Sequence, residues 1–473
     1  MKNNIYLLFS LCFLTQLNVK GNNLQITNIT HPTSTSVSFD ISWDNSWRSG
    51  LDFHDAVWVF IKQASNGGPS WTHANVSAAS TGAGFETVVP ADQVGFFLRR
   101  SADGNGTSTT SVTATLTGLL GSFQDFKVMG VEMVYVPQGD FYAGDGGSAC
   151  IARGDDTTKS VHIINDNSLV CGTTASEIQF TIGNCYDIPA AFPKGYNAFY
   201  CMKYHITQEQ YVDFLNCLSR PQQEIRVEAD VTGATVVNYY VMVDGITPYK
   251  GNSIRCDTNI GSGNIHFYCD VNNNGIPNEA NDGLGRSCNY INGRDWLSYL
   301  DWAGLRAMTY LEIEKAARGP LPAILDEFSW GSTLLTSHGT LQNAGLNNEK
   351  WSNSGTAGGI KTYSDGVIRV GCNAPSSGAT RELSNASYYG IIDLGNNPSD
   401  FYFTRNYSST YQNVHGDGLL NNIGDYDVVS WPDINVAGLL HTKIAISGYG
   451  ISNINLGYAG RTSGTGGRGI RQL

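Results

Sequence analysis

The chain of 473 residues is poor in charge, and the basic residues are the scarcer sign. Charged residues make up 15% of it, with 29 Lys and Arg against 41 Asp and Glu and a formal charge of −12. No basic stripe is available to neutralise phosphates, which argues against a nucleic-acid-binding protein. Beyond the N-terminus, no apolar run reaches the roughly 18 residues that a membrane-spanning helix needs. The sequence therefore predicts a soluble or surface-attached protein.

Several residue patterns that carry chemistry are also missing. Cys372 is the final cysteine of the chain, and no CxxC pair occurs, which removes the basis for a zinc-ribbon or thioredoxin-type site. No two histidines are three to five residues apart, so no helix-borne iron-ligand pair exists. The G-x-S-x-G motif of serine hydrolases is absent as well.

The first residues, MKNNIYLLFSLCFLTQLNVKGNN, combine an early lysine, an apolar run and a polar region. This order is typical of a secretory signal peptide, and we expect residues 1–21 to be removed by cleavage near Gly21. Lipidation at Cys12 is an alternative that Leu11 disfavours, because a small residue is expected before a lipidated cysteine. In an exported protein some disulfides are expected, and the nine remaining cysteines leave at least one thiol unpaired within the chain.

Residues 22–122 have the pattern of an all-β domain. Short alternating or β-branched runs such as SVSFDISW and AVWVFIKQA are separated by Gly, Ser, Asn and Asp. This spacing predicts a β-sandwich of the immunoglobulin or fibronectin type. Four tryptophans fall in the domain: Trp43, Trp47, Trp58 and Trp71. An exposed tryptophan row would bind sugar rings, but a core position is the more common outcome and is our prediction.

Residues 123–473 combine short strands, two capped helices and long irregular stretches, which predicts a mainly β and irregular α+β chain overall. Thr207 with Gln210, and Thr309 with Glu312, form capping boxes at the starts of amphipathic segments. Gly319 followed by Pro320 is a helix stop signal. Residues 221–290 have the Asn, Asp and Gly content of an insertion.

One stretch of this insertion, DVNNNGIPNEAND, is the candidate metal site. Asp and Asn occupy loop positions 1, 3 and 5 with Gly275 at position 6, as in the first half of an EF-hand loop, where hard oxygens converge on Ca²⁺. Position 12 is Asn281 instead of the usual glutamate, although two nearby carboxylates could replace it. The candidate ligands are Asp270, Asn272, Asn274, Glu279 and Asp282. An ordinary Asn/Gly turn is the alternative.

Five segments together resemble the formylglycine-generating enzyme, or sulfatase-modifying factor, family. These are residues 131–146, 197–218, 301–319, 328–331 and 386–401, and they include GLRAMTYLEIEKAARG and the Trp330-Gly331 pair. The resemblance implies an irregular α+β fold related to C-type lectins. It also makes Asn397 and Asp400 a second calcium candidate, because they match family positions near a structural calcium.

The sequence departs from the family where the chemistry would be. The resemblance implies an oxidase with two cysteines near the C-terminus that bind copper, and a soft thiolate pair suits Cu(I). No cysteine follows Cys372, and the family's C-terminal Arg-Gly-Gly-Ser-Trp motif is absent. We therefore expect a catalytically inactive domain with no catalytic residues.

The functional hypothesis is an exported cell-surface or extracellular protein that acts in binding or assembly, as an adhesin or as a surface or filament subunit. Its expected partners are a protein or glycan at the cell surface, or further copies of itself. The alternative is a family enzyme, a metal-dependent oxidoreductase acting on thiol substrates, with a relocated metal site.

Overall fold

The computed structural model describes residues 23–65, 67–121, 124–147, 151–180, 184–277, 279–354, 359–360, 366–374, 380–395, 397–403, 411–432, 440–443 and 461–473. The predicted signal peptide, Cys12 and Cys150 lie outside these ranges. The described chain is mainly β, as predicted, with short helices. Within it, no helix has both the length and the apolar character needed to cross a membrane.

The first part of the chain forms two antiparallel layers of strands. The strands are β1 Gln25–Thr33, β2 Ser36–Arg48, β3 Asp55–Ser65, β4 Thr72–Thr81, β5 Phe85–Val88, β6 Phe96–Arg100, β7 Gly104–Thr117 and β8 Gln124–Val136. One layer has the order β1-β2-β7-β4, and the other has the order β5-β6-β3-β8; the two are joined at one side by the antiparallel pairing of β4 with β3. β2 and β7 alternate between buried and more exposed residues, as expected of strands that pack one face on a core.

Strand β3 differs from these strands because both of its faces are buried. Val57 and Val59 face the core between the two layers, together with Trp43 of β2. Trp58 and Phe60 point the other way, into a second core formed with the rest of the chain. The prediction that tryptophans fill the core is confirmed for Trp43 and Trp58, which are both 0% exposed.

The rest of the described chain is built from short elements. The strands are β9 Phe141–Ala143, β10 Ala152–Arg153, β11 Val161–Ile163, β12 Ile178–Gln179, β13 Phe199–Met202, β14 Ile254–Arg255, β15 Tyr268–Cys269, β16 Thr336–Ser337, β17 Leu341–Gln342, β18 Lys350–Trp351, β19 Gly359–Ile360, β20 Ser399–Phe403, β21 Leu440–Lys443, β22 Thr465–Gly466 and β23 Ile470–Arg471. The helices are α1 Gln208–Leu215, α2 Arg220–Glu224, α3 Gly293–Trp302 and α4 Tyr310–Arg318.

The two parts share a continuous sheet. β8 pairs with β3 from Gln124 to Val134 and with β13 on its other side, and β13 in turn pairs with β23. Residues 122 and 123, between which the predicted boundary falls, lie outside the described residues, and the boundary stays a prediction. The second part packs against the outer face of β3 and β8.

A buried ion cluster strengthens the junction. The Lys203 ammonium lies 3.3 Å from an Asp55 oxygen and 3.2 Å from a Glu132 oxygen, and it donates to the carbonyl of Asn45 at 3.0 Å. Both carboxylates are buried. Buried charges are tolerated when they are paired and hydrogen-bonded. Lys203, directly after β13, therefore links that strand to the N-terminal layers.

The predicted capping boxes are confirmed. Thr207 caps α1 and pairs reciprocally with Gln210, and Thr309 caps α4 in the same way with Glu312. Helix α4 ends at Gly319, whose φ of 65° lies in the region that favours glycine. Helices α1 and α4 are thus each capped at the N-terminus by the side chain of the preceding threonine. Their apolar faces complete the second core.

Candidate functional site

The candidate calcium loop begins where β15 ends. Asp270 follows Cys269 directly, and its two carboxylate oxygens accept backbone hydrogen bonds from Asn274 at 3.1 Å and Gly275 at 2.9 Å. Asn273 and Gly275 have φ values of 58° and 78°, which turn the chain back on itself. Asn and Gly tolerate this conformation better than other residues, so the local sequence explains the turn.

The structure brings all five predicted ligand residues together. The Asn272 side-chain amide donates to Glu279 at 3.2 Å and to Asp282 at 3.1 Å, and the Asn274 amide donates to the same Glu279 oxygen. The amide nitrogens occupy positions where two carboxylates attract positive charge. The Oδ1 atoms of Asn272 and Asn274 accept the backbone amides of Asn274 at 3.0 Å and Ile276 at 2.8 Å. Both side-chain amides would have to rotate and give up these bonds before they could present oxygens to a cation.

The charges of the loop are only partly compensated by the protein. Asp270 accepts from Arg255 at 2.8 Å. Burial raises the pKa of Asp282 to about 6, and the charges of Asp270 and Glu279 act in the same direction. Among the described residues no three His, Cys, Asp or Glu side chains form a metal-ligand set by themselves, so a cation here would depend on the asparagine oxygens. Calcium at this loop stays a prediction.

The second calcium candidate lies elsewhere in the fold. Asp400, in β20, accepts from Arg468 at 2.9 Å, from His205 at 2.9 Å and from the Gly395 amide at 2.8 Å. Burial alone raises the pKa of Asp400, but Arg468 and His205 outweigh it and hold the pKa well below its ordinary range. Asn397 donates to the Ile368 carbonyl and accepts from its amide. Protein donors therefore occupy these oxygens, as they also occupy those of Asp270 in the loop, and calcium at this pair stays a prediction too.

The thiols of the described chain are placed as core residues. Cys171 and Cys185 form a disulfide, in agreement with the expectation that some cysteines pair. The thiols of Cys201, Cys217, Cys256, Cys269 and Cys288 are free and buried, and Cys372 is buried as well. Burial raises the pKa of Cys201 to about 12 and that of Cys217 to about 11. Because the thiolate is the form that attacks and binds metals, these buried thiols are unsuited to either role at neutral pH.

The motif helix α4 uses its charged residues for structure. The Arg306 guanidinium forms a bidentate pair with Glu312 at 2.9 and 2.6 Å, and one oxygen of Glu312 also completes the capping box. Arg318 pairs with Glu314 at 2.5 Å and also with Glu327. All of these side chains are buried. Sequence reasoning missed these ion pairs, although the alternation of Arg and Glu in an otherwise apolar stretch was the available signal.

Comparison with known proteins adds little to this description. No family model matches the chain, and no curated protein matches it by sequence. Among solved structures, it is similar to the group B streptococcus pilus 2b backbone protein, with 12% identity and a TM-score of 0.11. That similarity covers 37% of this chain and 88% of the streptococcal one. A TM-score of this size does not establish a shared fold, so the class defined by the structure is that of a mainly β protein with a continuous central sheet.

Proposed function

We propose that this chain is an exported surface or extracellular protein that acts in binding or assembly, with its formylglycine-generating-enzyme-like part serving as a non-catalytic scaffold. The burial of the thiols is the observation that supports it most directly. The family's oxidase chemistry needs accessible thiolates, whereas the described cysteines outside the disulfide are buried and those at 201 and 217 have raised pKa values. The charged residues of helix α4 form buried ion pairs, which supports the same conclusion.

The test is a measurement of metal content and turnover on the purified mature protein. We expect no bound copper or iron, and no oxygen consumption with thiol peptides as substrates. The native protein should also label slowly with a thiol reagent and rapidly after unfolding. Bound copper or iron together with turnover would refute the scaffold proposal and favour the alternative, a family enzyme with a relocated metal site.

Assembly is a separate part of the proposal and has its own measurement. Native mass spectrometry of the mature protein distinguishes a monomer from an oligomer or filament fragment over a range of concentrations. Higher-order species would support a role as a structural subunit. A monomer at all concentrations would restrict the proposal to binding of another molecule.

Calcium at the 270–282 loop is proposed as a structural component of this scaffold. The support is the convergence of Asn272, Glu279 and Asp282, together with the raised pKa of Asp282, because a cation would relieve the repulsion between the carboxylates. We expect calcium to raise the thermal midpoint of the chelator-treated protein. The double variant Asp270→Asn/Asp282→Asn should lose this response.

The matched control is Asp244→Asn, at a carboxylate of the same insertion that accepts from Asn238 and lies outside the loop. It should respond to calcium like the unmodified protein. A calcium response that survives the double variant, or no response in the unmodified protein, would contradict the site.

A further inference from the structure

A cleft separates the N-terminal layers from the loop at 411–419. Its volume of about 580 Å³ is in the range of ligand pockets in proteins, about 300–1,000 Å³. One wall comes from the start of β4, the end of β7 and the turn at Asp92, and the other wall comes from residues 413–419. None of the predicted site residues lines the cleft.

Buried hydrogen bonds hold the two walls at a fixed separation. The Lys62 ammonium donates to the carbonyls of Trp302 and Gly418 at 2.6 Å each, and to Nδ1 of His73 at 3.2 Å. Nε2 of His73 donates to the Val94 carbonyl at 2.7 Å. Gly418 has a φ of 87°, and a Cβ there would lie 2.2 Å from the His73 ring. A larger residue could not approach so closely, so the walls are pre-organised and do not have to close on a ligand.

The groups that line the cleft suit a neutral polar ligand. No lysine or arginine lines it within the described residues. Arg471 lies behind the wall, fully buried, and makes a bidentate ion pair with Asp92 at 2.5 Å. Burial holds the pKa of His73 and of His415 well below the ordinary histidine value, so both rings are neutral at neutral pH. An anion would therefore find no counter-charge. Of the two carboxylates in the lining, Asp92 is compensated by Arg471, and the exposed Asp417 accepts the backbone amide of Leu419 at 2.9 Å. A comparison with spermidine therefore tests whether Asp417 makes the cleft a cation site.

Both polar groups and exposed aliphatic side chains line the cleft. Thr72, Asn75 and Thr117 supply hydroxyl and amide groups on the strand wall, and Asn75 and Thr117 face each other across β4 and β7. The exposed aliphatic side chains of Leu120, Val414 and Leu419 are 54%, 42% and 45% accessible. Hydroxyl-bearing rings with apolar C–H faces match both kinds of group, since each polar group can form a hydrogen bond while the faces bury aliphatic surface.

We propose that this cleft binds a neutral polyhydroxylated ligand, a mono- or disaccharide, between the strand wall and the loop at 413–419. The inference rests on the proposed binding role and names the class of ligand. Asn75 and Thr117 supply the hydrogen bonds from the strand wall. Leu120 and Leu419 cover the apolar faces of the ring.

The test is saturation-transfer NMR and titration calorimetry on the mature full chain. The probes are N-acetylglucosamine, galactose, lactose and maltose, with glucuronate and spermidine as charged comparisons. We expect saturation transfer to at least one neutral saccharide and none to the charged probes. Absence of transfer to every neutral saccharide, or equal transfer to spermidine, would overturn the proposal.

Variants of residues in and outside the cleft test where the saccharide binds. Asn75→Ala/Thr117→Ala removes two hydrogen-bonding groups and should weaken binding about tenfold. Thr117→Trp should fill the opening and abolish it. Ser80→Ala, at an exposed position of the same strand β4 outside the cleft, is the matched control and should leave affinity unchanged.

A thermal melt of each variant checks that it is folded. If Asn75→Ala/Thr117→Ala is unstable, the affinity of Thr117→Trp tests whether the saccharide binds in the cleft. Unchanged affinity in Thr117→Trp would overturn the proposal. Failure of saccharide binding leaves the non-catalytic scaffold standing, whereas oxidase turnover would refute the scaffold without bearing on the cleft.

Discussion

Replacement of Arg468 by methionine should destabilise the protein strongly, because this guanidinium holds together three separate parts of the chain. It donates to Asp400 at 2.9 Å, to Nδ1 of His205 at 3.0 Å, and to the carbonyls of Ile392 and Asp393 at 3.1 and 3.0 Å. Its side chain is fully buried. Methionine keeps most of the volume but removes the charge and every donor.

The magnitude follows from the charge that is left behind. Breaking a buried ion pair by removing one partner costs about 3–5 kcal/mol, since the other charge stays desolvated. Total stabilities are about 5–15 kcal/mol, so the loss is a large fraction of the free energy of unfolding. The same substitution at Arg153, whose pair with Asp155 is about one-third exposed on each side, should have a much smaller effect, because solvent screens exposed ion pairs.

The assay is urea unfolding followed by tryptophan fluorescence, with the double variant Asp400→Asn/Arg468→Met as the decisive comparison. Each single variant leaves one member of the Asp400–Arg468 pair buried without its partner, but the double variant removes both charges of the pair. We therefore expect the double variant to be more stable than the sum of the single effects predicts, with a coupling of about 1–3 kcal/mol.

The pH dependence gives a second readout. The folded-state pKa of Asp400 is lowered, so its contribution is complete above the unfolded pKa of about 3.9 and is lost as the pH falls through the folded value. Without Arg468, burial raises this pKa, and the difference between variant and unmodified protein should shrink in acid. A loss no larger than that of Arg153→Met, or strict additivity in the double variant, would refute the reasoning.

Further predictions follow from other buried contacts. Burial raises the pKa of Asp301 to about 7. Because the folded protein then holds this proton more tightly than the unfolded chain, the free energy of unfolding falls by about 4 kcal/mol as the pH rises from about 3.9 to 7. Asp301→Asn should make the thermal midpoint less dependent on pH over this range. Trp58→Ala should cost about 3–5 kcal/mol in urea unfolding, because Trp58 is fully buried and donates to the Ala303 carbonyl at 2.8 Å. Replacing both cysteines of the Cys171–Cys185 disulfide, which closes a loop with a separation of 14 residues, should cost about 3 kcal/mol by the same measurement. A fragment of residues 22–122 lacks β8 and should show no cooperative unfolding; a well-dispersed NMR spectrum from it would contradict the shared sheet.

Local features were the most accessible to sequence reasoning. The capping boxes at Thr207 and Thr309 depend on residues three positions apart, and both form as predicted. The five oxygen-bearing residues of the loop at 270–282 also converge as their spacing suggested. In each case the partners are close in the chain, so the geometry of a single turn determines the contact.

Long-range features were less accessible. Nothing in a local pattern showed that β8 would pair with both β3 and β13. A signal was present in AVWVFI of β3, because an uninterrupted apolar run indicates a strand buried on both faces. The cleft and the Arg468 network join residues more than 250 positions apart, and their partners cannot be read from one sequence.

The pairing of β23 with β13 has a consequence for how the chain comes to be folded during synthesis. Ile470 pairs with Cys201, and Arg471 reaches Asp92, a separation of 379 residues. At about 5–20 residues per second, a ribosome needs roughly 15–50 s to pass from one strand to its partner. Throughout that interval the edge of β13 is open, and collapse into the finished sheet is postponed. An unpaired strand edge is a template for pairing with other chains, so the late synthesis of β23 lengthens the time during which β13 is open to such pairing.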